Sequence, residues 1–114
     1  MIEIASLYEN VEYAEDRPAV KVMMDNAHSK EIRIVFRKGQ EMKEHKTKFP
    51  IVVAVVSGVI SFGAGGERHE LDKGKLIALE GHVPHDLIAI EDSIVRLSLS
   101  KSDDVSRVEK VTNT

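Results

Sequence analysis

The longest apolar run of the chain, IVVAVVSGVISF at 51–62, is β-branched almost throughout and is interrupted by Gly58. Branching at Cβ restricts χ1, disfavours helix and suits a pleated surface. Runs of this kind recur along the chain, each short and each closed by turn residues. AVKVMM (19–24) ends at the polar turn DNAHSK, and EIRIVF (31–36) alternates Ile32, Ile34 and Phe36 against Arg33 and Val35 before the turn RKGQ. EMKEHKT continues as a polar extended segment. After IVVAVVS and VISF, the run GAGG turns the chain into ERHELD, the second arm of a hairpin. KLIALE, HVPHDLIAI and, beyond a turn at Glu91-Asp92, SIVRLSLS complete the series. Short strands at this spacing with Gly-rich turns predict an all-β sandwich or barrel. Only the tail, DDVSRVEKV, offers a helix, with Ser102 as its N-cap.

At 114 residues the chain is one domain with a modest core. It divides into an N-terminal strand or arm (1–18), a barrel (19–101) and a C-terminal tail (102–114). Lys and Arg number 16 against 19 Asp and Glu, a net charge of −3 with the signs mixed, so no basic stripe invites nucleic acid. The absence of cysteine removes disulfides, thiolate ligands and thiol nucleophiles together. The N-terminus, MIEIASLYENVEYAED, lacks the basic and apolar segments of a signal peptide, and the longest apolar run is too short to span a bilayer. A cytoplasmic protein with no membrane partner is expected. GAGG lacks the GKS/T ending of a phosphate loop, and no serine stands in a nucleophile elbow.

Chemistry therefore rests on histidines. His82 and His85 flank Val83-Pro84 just before an apolar strand, and His45 lies in the polar segment after Gly39. Pro84 biases Val83 toward extended backbone, and a regular strand puts His82 and His85 on opposite faces; a bend at Val83-Pro84 would be needed to turn both inward. His28 sits in a turn with Asn26 and Ser29 and is expected in solvent, and His69 on the outer face of ERHEL. Arg33, Arg37 and Arg96 are expected to pair outward with carboxylates, or, if one faces the cavity, to receive an anionic ligand. Glu41 and Glu44 read as solvated, with acid or base work beside His45 as the alternative.

Two spacings together resemble the cupin superfamily of small β-barrels. In the first, Gly39 is followed by five residues and His45, with Thr47 where the family has a second His, Ile51 where it has Glu, and Gly58 closing the motif. In the second, Gly74 is followed by five residues and Glu80, with His82 at a usual Gly position, His85 at the His position and Ala89 at the Asn position. The resemblance, extended by the flanking strands over most of 19–100, implies a cupin-type double-stranded β-helix, or jelly-roll, barrel. It also implies a homodimer, formed through N-terminal strands such as MIEIASL. Metal-binding cupins hold a divalent ion with three His and one Glu; by position this chain keeps His45 and His85.

Three functions follow. The first is a barrel that binds a small organic or carboxylate ligand through His45, Thr47 and His85, over an apolar lining of Ile51, Val53, Val55 and Leu87. The second is a metal-dependent enzyme of isomerase or dioxygenase type, with Fe, Mn, Ni or Zn on His45, His82 and His85. The third is a partner-binding subunit whose pocket is plugged by Met42, Phe49 and Ile51.

Overall fold

The computed structural model describes residues 2–101, and the tail expected to form a helix lies outside them. Nine strands follow the apolar runs: β1 (Ala19–Asp25), β2 (Ser29–Phe36), β3 (Glu41–His45), β4 (Ile51–Ser57), β5 (Val59–Ala64), β6 (Glu67–Asp72), β7 (Leu76–Leu79), β8 (His85–Ala89) and β9 (Ser93–Ser100). They form a five-stranded sheet, β1-β2-β9-β4-β7, and a four-stranded sheet, β3-β8-β5-β6, with every pairing antiparallel. From β2 to β5 the chain changes sheet at each step, and it does so again from β6 to β9. That alternation is the winding of a double-stranded β-helix, and no helix occurs among the described residues.

Period-two patterning sends alternate side chains into the space between the sheets. Ile34, Val95 and Val55 lie in one cross-strand row of the larger sheet and are 4%, 0% and 1% exposed. Ile60 and Phe62 of β5 and Leu87 and Ala89 of β8 face them from the smaller sheet and are equally buried. Ile51 and Val53 belong to this core, with Met42 packed against it, so the residues expected to line an open pocket fill the barrel instead.

The outer face of β2 departs from simple alternation. Arg33 and Val35 are buried as fully as their inward neighbours. The cause is the arm, which forms no strand among the described residues and is fastened over that face. Arg33 donates to the carbonyls of Leu7, Glu9 and Asn10, Gln40 Nε2 to those of Ala14 and Glu15, and the Arg37 guanidinium stacks 4.7 Å over the Tyr13 ring. Of the three arginines expected to pair with carboxylates, Arg96 does so, with Glu31 at 2.8 Å. Arg33 instead uses neutral backbone.

Gly58, between β4 and β5, has φ +88°, and a Cβ there would collide with Ser93 Oγ and the Asp92 carbonyl. Both space and conformation demand glycine. Gly58→Ala is expected to lower unfolding free energy by at least about 2 kcal/mol, the sum of a left-handed backbone and an overpacked neighbour. Urea denaturation followed by circular dichroism checks this, and a loss of a few tenths would contradict it.

Candidate functional site

The site is built at one end of the smaller sheet, where β3 ends beside β8. His45 and His85 are direct cross-strand partners, reached after a register shift between Met42 and His45. The extra backbone length of that irregularity brings the two rings together, with centroids 4.3 Å apart in an edge-on arrangement. His85 is 3% exposed, and its ring lies parallel to Phe62 at 5.7 Å. His45 sits over it on the solvent side.

Each ring is oriented by main chain. His45 Nδ1 lies 2.8 Å from the Lys43 carbonyl and His85 Nδ1 lies 2.9 Å from the Val83 carbonyl. A carbonyl only accepts, so Nδ1 carries the proton in both, and a neutral ring then presents Nε2 as an acceptor. Thr47 Oγ1 donates to the Phe49 carbonyl at 2.9 Å, which commits its proton while its lone pairs remain.

His82 does not join this pair. The bend that the sequence required falls on His82 itself, with φ +69°, and its ring is exposed. Its backbone N–H donates to the Thr47 carbonyl at 2.7 Å, closing the loop before β8. His82 thus takes a left-handed backbone, a conformation that a side chain other than glycine adopts only under strain. His82 instead lines a cavity of about 570 Å³ with Glu44, Arg68, Asp86 and the β5–β6 hairpin.

Donor chemistry decides the metal question. His45 and His85 supply two imidazoles, Thr47 has turned its hydroxyl proton to backbone, and Ile51 is buried hydrocarbon. Among the described residues no group of three or more His, Asp or Glu side chains could hold a metal ion. The residues present therefore do not fit a centre that needs three protein ligands.

The other expected residues fall as follows. His28 is exposed, with its turn closed by Asn26 Oδ1 accepting from the backbone N–H of His28 and Ser29. Glu41 and Glu44 are exposed. His69 is corrected: it pairs across from Phe62 and shares the inward face with Leu71, half-buried rather than outside. Leu71 is 7% exposed, a true core residue, and strand parity carries His69 inward with it.

Sequence reasoning missed the ion pair behind the histidines. Arg68 on β6 and Asp86 on β8 are both cross-strand neighbours of Gly63 on β5. They reach over it to pair at 2.7 and 3.1 Å, and a Cβ on Gly63 would strike both. The first glycine of GAGG is thus required for space; the turn itself is Gly65-Gly66. Arg68 also donates to Ser61 Oγ and the Ser61 carbonyl. The Arg68 hydrogen bond holds the Asp86 carboxyl below its ordinary range, against a partial desolvation that raises it, with His85 and His45 adding smaller attractions.

Two sheets wound as a double-stranded β-helix, with histidines set at one end, define a cupin barrel. The chain belongs to the AraC-like ligand-binding domain family, whose model matches residues 31–100. Solved structures agree on the fold. An RmlC-like cupin protein from Desulfovibrio desulfuricans is similar at a TM-score of 0.81 and 19% identity, covering 88% of this chain and 97% of that one. A conserved protein with a double-stranded β-helix domain from Klebsiella pneumoniae is similar at 0.78 and 20%, covering 85% and 83%. KdgF from a Halomonas species is similar at 0.74 and 20%, covering 92% and 97%. No curated protein sequence matches this one.

A depressed carboxyl contributes stability that is complete above its unfolded pKa, near 3.8 for Asp86, and is lost as pH falls through the lower folded value. The stability gap between the wild type and Arg68→Met is therefore expected to be larger at neutral pH than at about pH 3. Urea unfolding at the two pH values measures it, and an equal gap at both would remove the assigned role of the pair.

Proposed function

We propose that this protein is a ligand-binding cupin that holds a small organic molecule bearing a carboxylate through His45 and His85, with Thr47 at the margin. The observation that carries this reading is the matched orientation of the rings. Both Nδ1 positions are occupied by backbone carbonyls, so only Nε2 of each ring remains for a ligand. Neutral rings offer two acceptors there. A carboxylate needs donors, and so binds with uptake of a proton at Nε2. Membership in a ligand-binding domain family supports the reading at the level of class.

The experiment is a titration of protein with labelled histidine by succinate, following the ring nitrogens by NMR. Saturable movement of Nε2 in both His45 and His85 is expected. His45→Ala and His85→Gln are each expected to weaken binding about tenfold, the worth of one charge-assisted hydrogen bond. Nε2 signals that ignore carboxylates but follow a neutral polyol would replace the carboxylate by a hydroxyl ligand. The metal-enzyme alternative has its own measurement: Fe, Mn, Ni or Zn near one per chain in untagged protein, lost in both His45→Ala and His82→Ala, would restore it.

We also propose a homodimer, supported by Ile2 and Ile4 standing 87% and 91% exposed on an arm that pairs with no strand among the described residues. Light scattering coupled to gel filtration is expected to give twice the chain mass, and a single chain mass for Ile2→Asp/Ile4→Asp. A wild-type single chain mass at working concentration would end the dimer proposal.

A further inference from the structure

Arg33 is the most deeply buried charged side chain among the described residues, at 3% exposure, and no ion pair neutralises it there. Its Nη atoms donate to three neutral carbonyls, those of Leu7, Glu9 and Asn10, and its Nε has no acceptor among the described residues. A guanidinium does not shed its proton on burial, so the charge stays and requires compensation. Its cross-strand neighbours add to the demand. Lys21 on β1 and Arg96 on β9 flank Arg33 directly, so three cations stand in one row across the outer face of the larger sheet. Glu31 pairs with Arg96; no ion pair engages Lys21 among the described residues.

Beside this row lies a cavity of about 290 Å³, floored by Ala19, Lys21, Arg33 and Val35 and edged by Asn10 and Glu12 of the arm. Its size suits a small ion rather than a nucleotide-sized molecule. Lys21 and Arg33 give its floor two positive charges, and the exposed Glu12 is the lone carboxylate of its lining among the described residues. The geometry points to a small-oxyanion site at this place, on the opposite sheet from the histidine pair and distinct from it. An oxyanion there neutralises the buried guanidinium, accepts from Lys21, and bridges the sheet to the arm that Arg33 already fastens. Inorganic phosphate and a small carboxylate share the chemistry, and the two are separated by experiment.

The test follows binding to the full chain by NMR of the Arg33 Nε–Hε group and by thermal denaturation. Phosphate and acetate are titrated separately at ionic strength held constant with sodium chloride. A saturable shift of the Nε–Hε resonance with a matching rise in Tm is expected for at least one anion, and the one that saturates at lower concentration identifies the class. Lys21→Gln, a change at an exposed strand position that leaves the core intact, is expected to weaken the response about tenfold. Glu12→Gln removes the competing carboxylate and is expected to strengthen it. His85→Gln is expected to leave the Arg33 Nε–Hε shift unchanged, which separates this site from the proposed ligand pair. An Nε–Hε resonance that neither anion moves, or a response equal in wild type and Lys21→Gln, would overturn the proposal.

Discussion

The parallel contact between Phe62 and His85 joins the hydrophobic core to the candidate site. Phe62 is wholly buried at the centre of the smaller sheet, and burying such a ring stabilises the fold by roughly 2–3 kcal/mol. Its face then becomes the wall that fixes His85 from one side, while the Val83 carbonyl fixes Nδ1 from another. An imidazole held at two points needs no further partner to keep its orientation. His45 can therefore sit on the solvent side of a rigid neighbour, and packing and main chain fix the geometry of the pair.

Strand alternation gives the same few residues a second task. His85 points inward and Asp86 outward, so one strand carries the imidazole on one face and the ion pair with Arg68 on the other. Gly63 makes the outer pair possible by leaving the space over which the two side chains meet. The larger sheet is treated differently. Its outer face carries buried Arg33 and Val35 because the arm covers them, which turns a two-layer barrel locally into three layers.

Much of this was legible in the residues. The apolar runs, the hairpin arm ERHELD and their turn closures predicted eight of the nine strands, because period-two patterning and turn chemistry are local properties, while β3 read only as a polar extended segment and the expected N-terminal strand is an irregular arm. The cupin resemblance implied His45 and His85 as candidate site residues. Three placements were not legible. Arg33 looked like an outward, carboxylate-paired side chain, since nothing in EIRIVF tells that a distant arm lies across it. His69 looked external because its inward position depends on which of two alternating sets in ERHEL meets Phe62. His82 depended on where a bend would fall, and the backbone placed it on the histidine itself.

By itself the sequence determined the all-β class and the succession of its strands, because hydrophobic alternation and turn residues act over a few residues, and its resemblance to cupins singled out His45 and His85. Tertiary structure alone decided the register shift that brings His45 onto His85, the outward ring of His82, the pairing of Arg68 with Asp86 and the burial of Arg33. Each of these depends on groups far apart in the chain, meeting only after two sheets have closed over a common core and an arm has folded across one of them.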